Sequence, residues 1–372
     1  MMNTIELTDL LKGCRPVKDN EGNIIVQSIM NMDIVCLTTD SEFSLDDRFA
    51  NPLTALSASN QAYGSVSFSN KERKETIVPT QMAVMTKQNA QNHGMIKAGY
   101  VGANSNVTYN DAGCVQGSQG GHFRNTSEYR FIPVTMREMV FDSRSVKGRD
   151  HSRIYSAIQN LGNETSSNAG SYLNIYFEKY DKKLEQFIAH FERPHNLIGT
   201  IVFIDGEIVA IDKFPSFTYA EQVWDLMIRD CYGSLAIISE LKDRKSDKRF
   251  TKTFEDVKSR NVGEVNVLDL IEKSLKETKR FMTERVHNKL QDILDLTFET
   301  ELDTEGNATT GNLPKSYFLK HADENGYIGQ VIRESDYNHL VSVVKRKNFD
   351  PDALRKINEL RNKARKQQRF TL

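Results

Sequence analysis

The 372-residue chain has one tryptophan, eight prolines and four cysteines. It also has no apolar run near the roughly 18–20 residues that a membrane helix needs. Each scarcity excludes something. A helical membrane span is ruled out, and the N-terminal MMNTIELTDLLKGCRP carries acids early and no long apolar core, unlike a signal peptide. A cytosolic protein is the expectation. Cys14, Cys36, Cys114 and Cys231 are scattered without a C-x-x-C pair, so they read as free thiols rather than disulfides or a zinc site. The eight histidines do not fall at metal-ligand spacing, and neither metal nor cofactor is expected. Few prolines and 21 glycines exclude a collagen-like or proline-rich chain. The strong catalytic signatures are missing too: G-x-S-x-G, G-x-x-x-x-G-K-[ST], H-E-x-x-H, and a G-x-G-x-x-G after a strand.

What is present is core material. Hydrophobic residues make up 38%, with 13 Tyr and 19 Phe, which excludes global disorder. Charge is uneven: residues 1–241 hold 22 basic against 28 acidic residues, and residues 242–372 hold 27 against 22. A step of this kind suggests a boundary near 242. The organisation expected is an α+β domain over 1–241, a charged linker over 242–263, and a mainly helical basic accessory domain over 264–372.

Along the chain, Ile24–Val26 and Asp33–Leu37 are β-branched runs. Val66–Ser69 and Thr76–Val78 flank a polar turn and predict a hairpin. Residues 99–128, dense in Gly, Asn and Ser, predict a long loop, and 129–134 a strand. After about 150 the period turns helical: Ile154, Ala157, Ile158 and Leu161 predict a helix with Gly162 as C-cap. Residues 172–191 predict a second helix, which stops before Pro194. Two apolar strands around Asp205-Gly206 predict a tight hairpin, and a further helix follows over 218–240. Thus 20–141 is β-rich, and 150–241 runs helix, helix, hairpin, helix. Short strands are expected around Tyr317–Leu319 and Leu340–Val344.

Three places could carry chemistry. Lys87, Gln88, Asn89 and Asn92 concentrate amides beside a cation, a combination that reads base edges and neutralises phosphate. Residues 116–122, with Gln119 and His122, offer unobstructed backbone amides of the kind that cradle phosphate. Asp212 ends an apolar strand and could face a cleft or cap the next helix. The bland readings are a polar turn, a flexible insertion and a cap.

The order of short boxes resembles the ARPP-1 domain family over residues 20–241. The matching elements are Lys87-Gln88-Asn89; Ile132-Pro133-Val134 with Glu138; Asp205-Gly206-Glu207-Ile208-Val209; Ala210-Ile211-Asp212-Lys213-Phe214; Trp224; and Arg229-Asp230-Cys231-Tyr232. Ala210 stands where a glycine is usual, and Ala90 where an arginine is. The family's name records an association with ADP-ribosylglycohydrolase and rhodanese-phosphatase genes in prokaryotic conflict systems. The resemblance therefore implies binding or processing of an ADP-ribose, NAD-related or signalling nucleotide in prokaryote–phage conflict. Lys87, Gln88, Asn89, Asn92, Gln119, His122 and Arg229 are then ligand contacts, with Glu138 and Asp212 as acid/base or ribose-binding carboxylates.

The alternative is a protein-interaction or structural component without small-molecule chemistry, and a homo-oligomer is compatible with either reading. The basic terminal segment, with Arg355, Lys356, Arg361, Lys363, Arg365, Lys366 and Arg369, predicts a projecting helix over 350–370. Its only nucleic-acid contact would be weak, phosphate-driven and sequence-blind.

Overall fold

A computed structural model describes residues 3–40, 48–60, 62–87, 90–117, 120–126, 128–142, 151–245, 289–290, 296–302, 314–321 and 326–346. In order, the chain forms β1 (Asn3–Glu6), the single turn α1 (Leu7–Leu10), β2 (Cys14–Pro16), β3 (Val26–Ile29) and β4 (Met32–Thr39). Next come α2 (Pro52–Ala55), β5 (Leu56–Ser59), β6 (Val66–Asn70), β7 (Thr76–Val78), β8 (Met82–Val84), β9 (His93–Gly94) and β10 (Gly99–Val101). They are followed by β11 (Asn106–Tyr109), β12 (Gly113–Cys114), β13 (Tyr129–Phe131), α3 (Val134–Asp142), α4 (His151–Glu164) and α5 (Leu173–Ile188). The second half holds the hairpin β14 (Gly199–Ile204) and β15 (Glu207–Lys213), α6 (Phe217–Leu226), a π-helical turn over Met227–Tyr232, and α7 (Gly233–Lys245). Four strands close the described chain: β16 (Thr297–Leu302), β17 (Lys315–His321), β18 (Tyr327–Glu334) and β19 (Tyr337–Lys345).

Ten of these strands form one antiparallel sheet in the order β1-β16-β17-β18-β19-β15-β14-β4-β2, with β3 also on β4. Strand alternation sorts its side chains onto two faces. Val35, Leu37, Ile201, Ile211, Val341 and Val343 pack with Leu7 and Leu10 of α1. Ile34, Cys36, Val202, Ala210, Leu340 and Val344 face the larger core, with Trp224 and Tyr232. A third cluster, including Ile132, Met136, Ile154, Ile158 and Tyr176, joins α3, α4 and α5 to the small sheet of β8, β9, β12 and β13.

The α+β expectation holds as a mixed fold built on a large antiparallel sheet, but several local readings are corrected. In the described part, residues 297–345 are not a separate helical domain: β19 pairs with β15, so these strands continue the sheet of the first 241 residues. The basic helix over 350–370 lies outside the described residues; of the linker expected over 242–263, residues 242–245 form the end of α7 and the rest lies outside them.

The 66–78 hairpin does not form, because β6 pairs with β5 and β11 while β7 pairs with β10. The Asn70 side chain donates to the carbonyls of Lys74 and Gly102, turning the chain away from a direct return. The 99–128 segment is no plain loop; it supplies β10, β11 and β12. The strand expected over 129–134 ends at Phe131, and Pro133 immediately precedes α3. Gly162 sits inside α4, where a Cβ would come within 3.0 Å of Ala169 N. The Asp205-Gly206 hairpin forms as expected: both residues have positive φ, 51° and 75°, the conformation of a type I′ turn.

Candidate functional site

Cross-strand register lines up a row of polar residues beneath α3 and the π-helical turn. Cys36 lies opposite Thr200, Thr200 opposite Asp212, Asp212 opposite Ser342, and Ser342 opposite Gln330. All are buried, on the face that packs against the larger core. The row is polar because Arg137 of α3 drops into it. Its two terminal nitrogens donate to the two Asp212 oxygens at 2.7 and 2.9 Å, a bidentate pair. The same nitrogens reach Ser342 Oγ and Cys231 Sγ, both at 2.8 Å. Tyr232 donates to Asp212 Oδ2 at 2.6 Å and shares a hydrogen bond with Thr200 at 2.7 Å. Arg137 is 0% and Asp212 1% exposed. The carboxylate beside it raises the guanidinium's proton affinity further, against the opposing effect of burial. Burial pushes the Cys231 thiol up to about 12, with Arg137 pulling the other way.

A second ionic knot hangs from the same turn. Asp230, fully buried, accepts from Arg130 Nε at 2.9 Å, Arg229 Nε at 2.8 Å and the Phe131 amide at 3.0 Å. The Arg130 guanidinium also lies 4.2 Å from the centre of the Phe177 ring and binds Asp181. A π-helical turn holds one residue more than an α-turn and is frequent at functional positions. Here it lets consecutive residues serve opposite neighbours, Asp230 the arginines of α6's flank and β13, Cys231 and Tyr232 the Arg137 row. Gly233 follows because a Cβ there would meet Leu184 Cδ2 of α5 at 2.5 Å.

The two amide-rich segments come together at β9 and β12. β9 and β12 place Cys114 directly opposite His93. Gln91 Nε2 donates to Gln116 O at 2.7 Å, the Asn92 amide donates to Gln116 Oε1 at 3.3 Å, and Asn92 Oδ1 accepts from the Thr86 amide at 2.8 Å. Asn92 is buried and shapes the turn. Lys87 is exposed, 3.6 Å from Glu128. His122 is exposed, and its neighbour Phe123 packs on the His93 ring. Gln88, Asn89 and Gln119 lie outside the described residues.

Arg229 is held by Asp230 and Glu185. Glu138 is half-buried on α3, beside Arg137. Lys87 stands on an exposed turn while Asp212 is sealed under α3, so the two would address one ligand only if Arg137 released the carboxylate.

Arg137 is the residue that sequence reasoning passed over. Its signal was present: one cation among Val134, Met136, Val140 and Phe141 in a short helix. Among the described residues no group of three or more His, Cys, Asp or Glu could hold a metal, and no helix is long and apolar enough to cross a membrane.

A mixed fold on an antiparallel sheet, with an Asp from a hairpin strand bonded to a Tyr twenty residues on, is the arrangement that carries the sequence boxes. The chain belongs to the ARPP-1 family, described as the ARG and Rhodanese-Phosphatase-superfamily-associated Protein domain, whose profile matches residues 31–299. No curated protein and no solved structure gave a significant match.

Proposed function

We propose that the protein binds a nucleotide-derived small molecule at the surface built from Lys87 and residues 90–93, 113–117 and 120–122. The Arg137–Asp212–Tyr232 row is then the scaffold behind it. The observation that supports this is the knitting of the two segments by Gln91, Asn92 and Gln116, with Lys87 and His122 exposed nearby. Amides suit the hydrogen-bonding edges of a base or ribose, and a lysine supplies a point charge for phosphate. The family's described link to the ARG and rhodanese-phosphatase superfamilies supports a nucleotide-related ligand. An ADP-ribose or NAD-related compound, encountered in prokaryote–phage conflict, is the first to test.

Purified protein is incubated with ADP-ribose, NAD and cyclic nucleotides, and the mixture is chromatographed before and after denaturation. Intact ligand released only on denaturation means sequestration; altered ligand means catalysis. Retention should fall on Lys87→Ala or His122→Ala with no change in melting temperature. Retention of none of these compounds overturns the reading.

A further inference from the structure

We propose that Cys114 and His93 form a nucleophilic thiol–imidazole pair that cleaves an acyl ester or thioester. The pair follows from register: in an antiparallel ladder, directly opposed residues bring their side chains together, and Cys114 stands opposite His93. The Sγ–Nε2 distance is 3.8 Å. The His93 Nδ1 lies 2.8 Å from the carbonyl oxygen of Gln91. A carbonyl can only accept, so Nδ1 carries the ring proton, and in the neutral ring Nε2 is left as the acceptor facing the thiol. Nucleophile, base and a group that orients the base are thus in place, the arrangement that covalent catalysis requires. Phe123 closes against the imidazole at a centroid distance of 6.0 Å.

A buried cysteine on its own would be inert packing. This one has tyrosines beside it: Tyr155 is within electrostatic reach of Cys114, and its hydroxyl lies 3.5 Å from that of Tyr63. Tyr63 is 60% exposed. The two tyrosines therefore stand on the solvent side of a pair that is itself sealed, Cys114 at 0% and His93 at 1% exposure, and a substrate reaches the thiol only once they move. A thiolate is a strong nucleophile, and its attack on an acyl carbon gives a thioester that water can hydrolyse. His93 Nε2 takes the thiol proton, the Sγ–C bond forms, and the C–O or C–S bond to the leaving group breaks. The leaving group departs with the electron pair and receives the proton from His93. Water, deprotonated by His93, then hydrolyses the thioester, returning the thiol and releasing the acid. Only the identity of the acylated compound rests on the nucleotide reading of the adjoining loops.

The test treats the full native chain with iodoacetamide between pH 6 and 9 and maps the alkylated peptides. Cys36 and Cys231, both buried with thiols pushed up to about 12, are internal controls. Cys114 should react at least about tenfold faster than either, and p-nitrophenyl acetate at pH 7 should leave an acetyl group on the Cys114 peptide. His93→Gln should slow alkylation of Cys114 by about tenfold at pH 7 and flatten its pH profile. Cys114 reacting no faster than Cys36 and Cys231 in the native chain overturns the proposal, a comparison that needs no variant to fold. Acetylation elsewhere, or a folded His93→Gln protein with unchanged Cys114 alkylation, also overturns it. A reactive Cys114 in a chain that retains no nucleotide would sink the nucleotide reading and leave the pair standing.

Discussion

Replacing Arg137 by Met should strip the Asp212 carboxylate of its bidentate partner while keeping the volume of α3's inward face. Among the described residues, only the Tyr232 hydroxyl, at 2.6 Å, would then donate to the buried Asp212 charge. Breaking one side of a buried pair costs about 3–5 kcal/mol, because the remaining charge stays desolvated and uncompensated. With about 2–4 °C per kcal/mol for domains of about 150–250 residues, melting should fall by on the order of 10 °C. Asp212→Asn should fall comparably, since Arg137, 0% exposed, then faces no counter-charge.

The double variant should do better than the sum of the two. Removing both charges of a buried pair is often near neutral, so a coupling of about 1–3 kcal/mol is expected in urea titrations of the single and double variants. Additivity to within about 0.5 kcal/mol would refute the idea that the two side chains act as one unit. A second outcome would refute the scaffold assignment instead. If Asp212→Asn left the urea midpoint in place but abolished processing of a bound nucleotide, the carboxylate would be chemical rather than architectural.

Burial pushes the His339 imidazole down from 6.5 to about 4, against the pull of Glu334. The unfolded chain then binds more protons than the folded one between those values. Stability is therefore complete above about pH 6.5 and is lost as pH falls toward 4, by at most about 3 kcal/mol; His339→Gln should lessen the drop in urea midpoint between pH 7 and 4.5. Lys213, 2% exposed, donates to the Asn338 carbonyl and lies 4.3 Å from the Tyr337 ring centre, and burial lowers its ammonium to about 8. The unfolded chain is again the better proton binder, here between about pH 8 and 10.5, so stability should rise with pH across that window. Lys213→Met should accordingly raise the melting temperature at pH 7, by about 1–3 kcal/mol of stability; a lowered one would show that the amine is held by something stronger than a carbonyl and a ring. Gly206→Val, at φ 75°, should cost about 1–2 kcal/mol in the same urea titration, and an unchanged midpoint would mean that the turn tolerates an L side chain.

The parts of the fold that were legible in the sequence are those whose cause is local. The β14–β15 hairpin follows from two adjacent residues that tolerate positive φ, and α5 from an apolar stripe ending before Pro194. The failures are those whose cause is distant. The pattern of β19, Leu340 through Val344, announces a strand, but nothing within it says that its partner is β15, about 130 residues earlier. The hairpin between β6 and β7 has the right alternation and a plausible turn, yet one Asn70 side chain reaching Gly102 redirects it. The polar 106–109 segment reads as loop until Ser67 Oγ and Thr108 Oγ1 are found 2.7 Å apart across β6 and β11.

The same division runs through the site. Asp212 and Tyr232 were visible as elements of two boxes, but their being one hydrogen-bonded unit depends on a π-helical turn that no residue preference announces. In an α-turn, three consecutive residues point in directions about 100° apart; the extra residue of the π-turn widens the sector they cover. That is what lets Asp230 gather Arg130 and Arg229 while Cys231 accepts from Arg137 and Tyr232 donates to Asp212. Buried Arg137 and half-buried Arg130 and Arg229 are therefore tied to a single backbone irregularity. Asp230, Cys231 and Tyr232 are thus each fixed by interior partners, and Tyr232 joins this box to Asp212. Under the proposed function, discrimination between ligands would fall to Lys87 and His122, which meet solvent.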